Sequence, residues 1–463
     1  MTNVISELSK YLIIILMILY TFQCFTIFRK HYEEDKRHVL RKQIVLMLFM
    51  NFVAYAVLYL QTEDTNMILM YLAVLVFIVL VQILYRVIYR KANMLVVNNM
   101  CMLLSIGFLM LSRLQFDRAV KQFAIASAAM LLSLIVPVIV RKVKHLKDLT
   151  WLYGIAGLLM LVAVLGLAAV TGGAKLSIEI GDFTFQFSEL VKIIFVFFVA
   201  GMLREDTSFR QVVITTAVAG AHVVILVLSR DLGSALVFFI AYLVMLYVAT
   251  RQPLYALAGI AAGCGASVLA YFLFNHVRQR VVAWQDPIAV YNESGGGYQV
   301  AQGLFGISAG GWFGMGLGEG SPNTIPVVDQ DFIFAAICEE LGCVFAVCML
   351  LVCMSMFLMI VNISMKMSKP FYKLIALGLG AEYAFQVFLT VGGSSKFIPL
   401  TGITLPLVRE DEGEELEKQR RKKKKQKNKN DRQDRGPGPS SGGGREKTLE
   451  EKIQEQTEKS LNW

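Results

Sequence analysis

The chain has 463 residues, of which 56% are hydrophobic and only 17% charged, whereas a soluble protein carries about 25% charged residues. A water-soluble globular fold is excluded, and because the apolar runs are continuous rather than alternating, so is a β-barrel. The net charge of +10 is spread over short loops and the C-terminal tail, which speaks for membrane orientation rather than for a nucleic-acid surface.

The apolar runs are about 20 residues long, the length that crosses a bilayer as a helix. The expected fold class is therefore all-α, a polytopic helical membrane protein. Twelve spans can be drawn, near 11–28, 43–60, 67–89, 94–112, 119–140, 151–171, 189–203, 211–229, 231–249, 253–274, 331–362 and 371–392. The span at 189–203 is short and borrows from its flanks. The first stretch, Tyr11–Phe28, lacks a basic leader and a small-residue cleavage site, and reads as a retained span. The seven cysteines all lie in or at the ends of apolar runs, with no CxxC and no Cys/His cluster, and read as small core residues.

Each odd-numbered span is followed by basic residues, such as Arg29 and Lys30, Arg86 and Arg90, Arg141 and Lys142, Arg204, Arg251 and Lys366. Those loops are expected on the cytoplasmic side. The N-terminus and the long loop 275–330 then lie outside. After span twelve the chain is outside as well, yet the tail carries the basic block Gln419–Lys429. One crossing is missing between Gly393 and Arg409. FIPLTGITLPLV, Phe397–Val408, is too short to cross as an ordinary helix, so either it crosses irregularly, a span is misdrawn, or a helix is absent. The tail, 409–463, has an acidic start, the basic block, a GPGPSSGGG linker and a helix-like stretch over Arg445–Leu461. It is expected to be largely disordered, with the basic block either on anionic lipid or simply solvated.

Four features carry chemistry. Gly172–Lys192 reads GGAKLSIEIGDFTFQFSELVK. Its Glu189 and Lys192 are spaced i, i+3 and share a helix face, as a structural ion pair or as part of a site. In SRDLGSAL, Asp231 stands where two apolar helices meet with almost no linker, and either caps the second helix or faces a site. The loop 275–330 holds His276, Arg278, Arg280, Trp284 and Asp286 ahead of a glycine-dense run. Glycines let backbone N–H groups approach a ligand closely, and arginines near a membrane surface suit a phosphate or pyrophosphate. Last comes DFIFAAICEELG, Asp331–Gly342. Asp331 at the mouth of a long apolar helix is either an N-cap or a general base, since burial raises a carboxyl pKa while a helix N-terminus opposes that. An ionisable residue at membrane depth is a functional hypothesis by default. Glu339, eight residues on and about 12 Å along the helix, reads as structural. No P-loop, dinucleotide fingerprint or zinc motif is present.

The pieces GGAKLSIEIG, FQFSELVK, RDLGSALV, RQRVVAWQDP, GGGYQVAQGLFGISAGGWFGMGLGEG, DFIFAAICEELG and PLTGITLPLV occur in order from about residue 94 to residue 408. Together they resemble the SEDS family (shape, elongation, division and sporulation), which includes FtsW, RodA and SpoVE. The resemblance implies a SEDS-type helix bundle, 94–408. A three-span extension, 1–93, would precede it and the charged tail, 409–463, would follow, with the last core helix missing. It implies a peptidoglycan glycosyltransferase that polymerises lipid II on the outer face of the bacterial cytoplasmic membrane, beside a class B penicillin-binding protein. Asp331 is then the catalytic base. Arg278 and Arg280 hold the pyrophosphate, and Glu189, Lys192 and Asp231 support the site. Tyr298, Gln299 and Gln302, in the GGGYQVAQ segment, are candidate substrate contacts. No cofactor is required by the resemblance, and a divalent cation is compatible with it. The alternatives are a lipid-linked precursor transporter and a non-catalytic scaffold. The chain departs from the family pattern at Phe187, where proline is common, at Ser177, where tryptophan is common, and after Val408.

Overall fold

The computed structural model of the protein describes residues 2–171, 177–180, 183–292 and 296–408. They fall within one compact unit, Met1–Asp411. The tail expected to be disordered, with its basic block, and any crossing after Val408 lie outside the described residues.

In chain order the helices are α1 (Thr2–Arg29), α2 (Glu33–Thr62), α3 (Thr65–Ile88), α4 (Met94–Leu114), α5 (Phe116–Lys142), α6 (Thr150–Thr171), α7 (Phe187–Leu203), α8 (Phe209–Leu228), α9 (Leu232–Thr250), α10 (Pro253–Leu273), α11 (Asn275–Gln285), α12 (Gly297–Gly310), α13 (Ile333–Met365) and α14 (Pro370–Ser394). Each of the twelve expected spans is a helix, and among the described residues ten are long and apolar enough to cross a membrane. The chain is a multi-pass membrane protein. The short span proves to be the 17-residue α7. It follows directly on a feature the all-helical expectation lacked, a hairpin of β1 (Ser177–Ile180) and β2 (Phe183–Gln186) paired antiparallel from Ser177 opposite Gln186 to Ile180 opposite Phe183. Isoleucine, phenylalanine and threonine favour a pleated strand.

Helix boundaries follow their local chemistry. Asn93 caps α4 by accepting from the Leu95 and Val96 amides, Asp64 caps α3 and Ser208 caps α8. Pro253 and Pro370 open α10 and α14, where a missing N–H costs nothing.

One apolar core joins α1–α5 with α12 and α13; a second joins α6–α9 with the start of α14. Helix α4 is almost wholly enclosed and so tolerates Asn98, Asn99, Ser105 and Ser112 along its length. In contrast, α10 buries no residue and is packed chiefly against α9. Five cysteines are core residues as expected; Cys343 is half-buried and Cys264 is exposed on α10.

The span expected at 331–362 begins at Ile333 and is broken at Gly342, whose φ of 87° and ψ of 161° are non-helical. That region is essentially reserved for glycine. The break is satisfied from outside: the Met315 and Gly316 amides donate to the Glu339 and Glu340 carbonyls at 2.9 and 3.0 Å, and the Cys343 and Val344 amides donate to the Gly311 and Trp312 carbonyls at 3.0 and 3.1 Å. The glycine-dense run is thus the hydrogen-bonding partner of the kink.

Phe397–Val408 contains no helix. Pro399 and Pro406 each remove a backbone donor, and Gly402 has φ of 77°. The segment re-enters the bundle instead. A Cβ on Gly107 of α4 would lie 2.7 Å from the Val408 carbonyl oxygen. Gly107 is seven residues from the end of α4, about 10 Å along it. Non-helical backbone is tolerated at that depth only inside protein. Accordingly Leu405 and Val408 are buried, the Thr390 hydroxyl donates to the Ile403 carbonyl at 3.1 Å and the Gln386 amide to the Thr404 carbonyl at 3.2 Å.

Candidate active site

The site is assembled around Arg280. His276, Arg280 and Trp284 follow one another at i, i+4 and i+8 along α11 and share a face. Trp284 donates its indole N–H to the Lys396 carbonyl at 3.0 Å, and Arg280 Nη1 donates to the carbonyls of Leu400 and Thr401 at 3.3 and 2.7 Å. This short helix therefore grips the entry of the re-entrant segment. At the tight turn, a Cβ on Gly402 would lie 3.7 Å from Arg280 Nη2 and 3.9 Å from Asp331 Oδ2, so the guanidinium and the carboxylate meet across a bare backbone. Two carbonyls occupy only part of the five-donor fork of an arginine.

Burial pulls the Arg280 pKa below its ordinary value, and the carboxylates of Asp331 and Asp231 push it back up. Asp231 arrives from the start of α9. Its Oδ1 accepts from the Ser234 amide at 2.9 Å, the capping role read from sequence, while its Oδ2 is buried without a hydrogen-bond partner. A cap uses one oxygen and leaves the other for the site. Arg230 beside it is held at φ of 64°, and His276 is pressed below its ordinary pKa by burial and then by Arg280 and Arg230. The His276 Nε2 and Thr401 Oγ1 atoms are also buried and unpartnered. Several polar atoms thus converge on one half-buried arginine.

The N-cap position of α13 does not fall on Asp331. The N-cap of α13 is Phe332, and it makes no side-chain cap bond. Half-buried Asp331 lies one residue further out, with its carboxylate close to Gly402 and within electrostatic reach of Arg280. Phe332 itself is locked: the Gly303 face of α12 lies against its ring, Gly306 against Ile325 and Glu339, and Gly310 against the Cys338 carbonyl. Small residues at this spacing let α12 sit flush on α13.

Glu189 and Lys192 form the expected ion pair, at 2.6 Å. Lys192 also donates to Gln386 Oε1 at 3.1 Å, and Gln386 in turn holds Thr404. The pair is tied to the far part of the same re-entrant segment that Arg280 holds at its entry. Glu382 of α14, a buried acid that the motifs do not single out, is within electrostatic reach of Lys192 and Glu189.

Other candidates are placed differently. Arg278 is exposed; two residues apart on a helix, it cannot share the face of Arg280. The residue that does share it is His276, which the sequence displays but whose significance depends on α11 being helical. On α12, Tyr298 packs edge-on against Tyr291 with ring centroids 4.8 Å apart, and Gln302 donates to the Tyr291 hydroxyl at 2.8 Å. Gln299 is half-buried on the same helix. Asp329 is buried in an ion pair with Arg118. Glu340 accepts from Arg113 at 3.0 Å, and Glu339 accepts from the Ser321 amide at 2.7 Å, so Glu339 has the structural role expected of it. Among the described residues no group of three or more His, Cys, Asp or Glu side chains is gathered as a metal site.

A family model described as "Cell cycle protein", FTSW_RODA_SPOVE, matches residues 86–410. The chain is 34% identical over 275 residues to the peptidoglycan glycosyltransferase RodA of Mycobacterium tuberculosis, covering 55% of this chain and 58% of that protein. It therefore spans little more than half the length of that curated relative. Its fold is similar to a solved structure described as "Structural coordination of polymerization and crosslinking by a peptidoglycan synthase complex", with a TM-score of 0.58 at 23% identity, over 69% of this chain and 92% of that one. It is also similar to the rod shape determining protein RodA of Thermus thermophilus, with a TM-score of 0.52 at 21% identity, over 69% of this chain and 90% of that one. With the family model covering most of its length, the chain belongs to the FtsW/RodA/SpoVE family.

Proposed function

We propose that the chain is a peptidoglycan glycosyltransferase that polymerises lipid II on the outer face of the bacterial cytoplasmic membrane. The observation that carries this reading is the meeting of Asp331, Arg280 and the second Asp231 oxygen at the Thr401–Gly402 turn, in a chain whose relatives bear that activity in their names. Asp331 is the general base. It takes the proton from the 4-hydroxyl of the acceptor sugar as that oxygen attacks the anomeric carbon of the donor. The bond to the undecaprenyl pyrophosphate breaks, and the configuration inverts. Arg280 receives the charge that builds on the departing pyrophosphate, with Arg278 at the exposed rim drawing the headgroup in. Asp231 orients Arg280. Glu189 and Lys192 hold the re-entrant segment from below, and Tyr298, Gln299 and Gln302 border the path along α12. Residues 94–408 are the polymerising core, 1–93 a three-span extension and 409–463 a charged tail, with loop 275–330 extracytoplasmic. A class B penicillin-binding protein is the partner that cross-links the product.

The test is glycan synthesis from lipid II by the full chain in proteoliposomes beside Asp331→Asn. Chains from the parent protein and at least a hundredfold fewer from the variant, with lipid II binding retained, are expected. Equal product from both removes Asp331 as the base. No product from the parent protein removes the polymerase reading.

A further inference from the structure

The helices α1–α3 lie almost wholly before the region shared with the family, which starts at residue 86, so the family match gives them no role. Their packing does. A chain of buried polar groups runs through them into the core. The Tyr20 hydroxyl donates to Asn99 Oδ1 at 3.1 Å, and Asn99 donates to the Ser355 hydroxyl of α13 at 2.7 Å. Asn98 donates to Gln43 Oε1 at 2.9 Å, and Gln82 donates to Asn98 Oδ1 at 2.9 Å. Thr21 donates to the Cys348 carbonyl of α13 at 3.3 Å. In an apolar surround such groups have no water to turn to, so these bonds set register between helices.

At the loop end of the bundle the same helices reach the glycine-dense run. Gln61, at the end of α2, donates to Glu319 Oε1 at 3.2 Å, and its side chain fills the space that a Cβ on Gly318 would need. Tyr11 of α1 packs at a tilt against Phe313 with ring centroids 5.8 Å apart. Arg113 of α4 completes the grip, donating to the Gly318 and Gly320 carbonyls at 3.2 and 3.3 Å. Between these holds lie Gly311–Gly316, the residues whose backbone closes the break at Gly342. The half-helix beyond that break, Ile333–Leu341, begins next to Asp331.

We propose that the N-terminal three-helix extension is a clasp for the catalytic loop. It holds 311–320 on the kink of α13 and so positions Asp331 for the reaction proposed above, with Gln61 and Tyr11 as positioning residues. Tyr11 is exposed and Gln61 half-buried, and each contact is weak alone. Their effect comes from being mounted on helices that the buried network fixes to α4 and α13.

The test uses the full chain in nanodiscs, with hydrogen exchange of the 311–320 amides and lipid II polymerisation measured on the same preparations. Gln61→Glu places a second carboxylate on Glu319, and Tyr11→Ala removes the ring. The double variant is expected to exchange its 311–320 amides at least tenfold faster and to lose kcat about tenfold at unchanged KM. Adding Glu319→Gln to the double variant restores a hydrogen bond to position 61 and is expected to recover part of both losses, which loss of folding would not permit. Unchanged exchange in the double variant overturns the clasp. Faster exchange with unchanged kcat overturns its link to Asp331. A parent protein that makes no glycan at all sinks the polymerase reading instead, and the exchange data still decide whether the clasp exists.

Discussion

Arg280 is the residue on which the site turns, because it does two jobs with one fork. Its Nη1 holds the Leu400 and Thr401 carbonyls, while its charge is shared between Asp331 and Asp231. A lysine has a single point charge and no planar fork. Arg280→Lys is therefore expected to keep part of the anion attraction and lose the grip on the turn, costing about tenfold in kcat/KM. Arg280→Ala is expected to cost about 10²–10³, the range for deleting one donor that meets developing charge. Steady-state polymerisation kinetics check both, and equal losses would show that charge rather than the fork matters. Arg280 and Asp331 were both legible as candidates, because an acid and an arginine beside apolar spans are costly unless used. Their proximity was not, since 50 residues of loop and helix lie between them. His276 illustrates the limit from the other side. It was visible but had no meaning until α11 formed and set it one turn from Arg280.

At the scale of elements, the decisive feature is the break in α13. A run as apolar as 331–362 reads as one straight span, and Gly342 inside it is an ordinary helical glycine by sequence. The structure shows it at φ of 87°, with the loop 311–316 supplying the missing bonds. Gly342→Ala is expected to destabilise the fold by about 1–3 kcal/mol through backbone strain alone, and by more because the new Cβ would strike the Gly314 amide. A thermal melt in detergent reads this; an unchanged Tm would mean that the helix simply straightens. The same reasoning explains the acids of EELG. Glu339 and Glu340 are spent on holding the Ser321 amide and Arg113, so a striking motif can be architecture.

For the whole molecule, the bundle is organised by burial rather than by chain order. The enclosed α4 and α13 lie between the extension and the rest, and polar groups mark the seam. Asn99 accepts from Tyr20 and from the Cys24 thiol, at 3.1 and 3.3 Å, and donates to Ser355. Asn99→Leu would strand those partners, at a cost of about 1–3 kcal/mol for unsatisfied buried groups. A lowered Tm is the expected outcome. A neutral Asn99→Leu would show that the extension is held by apolar packing alone.

Hydropathy and loop charge already dictated the membrane class and the twelve spans, because a bilayer permits so few backbone solutions that length and apolarity decide them; only the polar first turns of α1 and α2, which begin at Thr2 and Glu33, extend well beyond the apolar runs. The ion pair of Glu189 with Lys192 and the cap of Asp231 were equally local, being set by i, i+3 spacing within single helices. The arrangement of those helices was open. Only tertiary structure brings α11 onto the re-entrant turn, seats the loop 311–316 in the break of α13 and carries three extra helices to its edge. Those contacts join residues tens to hundreds of positions apart, and at the re-entrant segment and the break of α13 many of the partners are backbone carbonyls and amides, which nearly every residue possesses and no sequence pattern distinguishes.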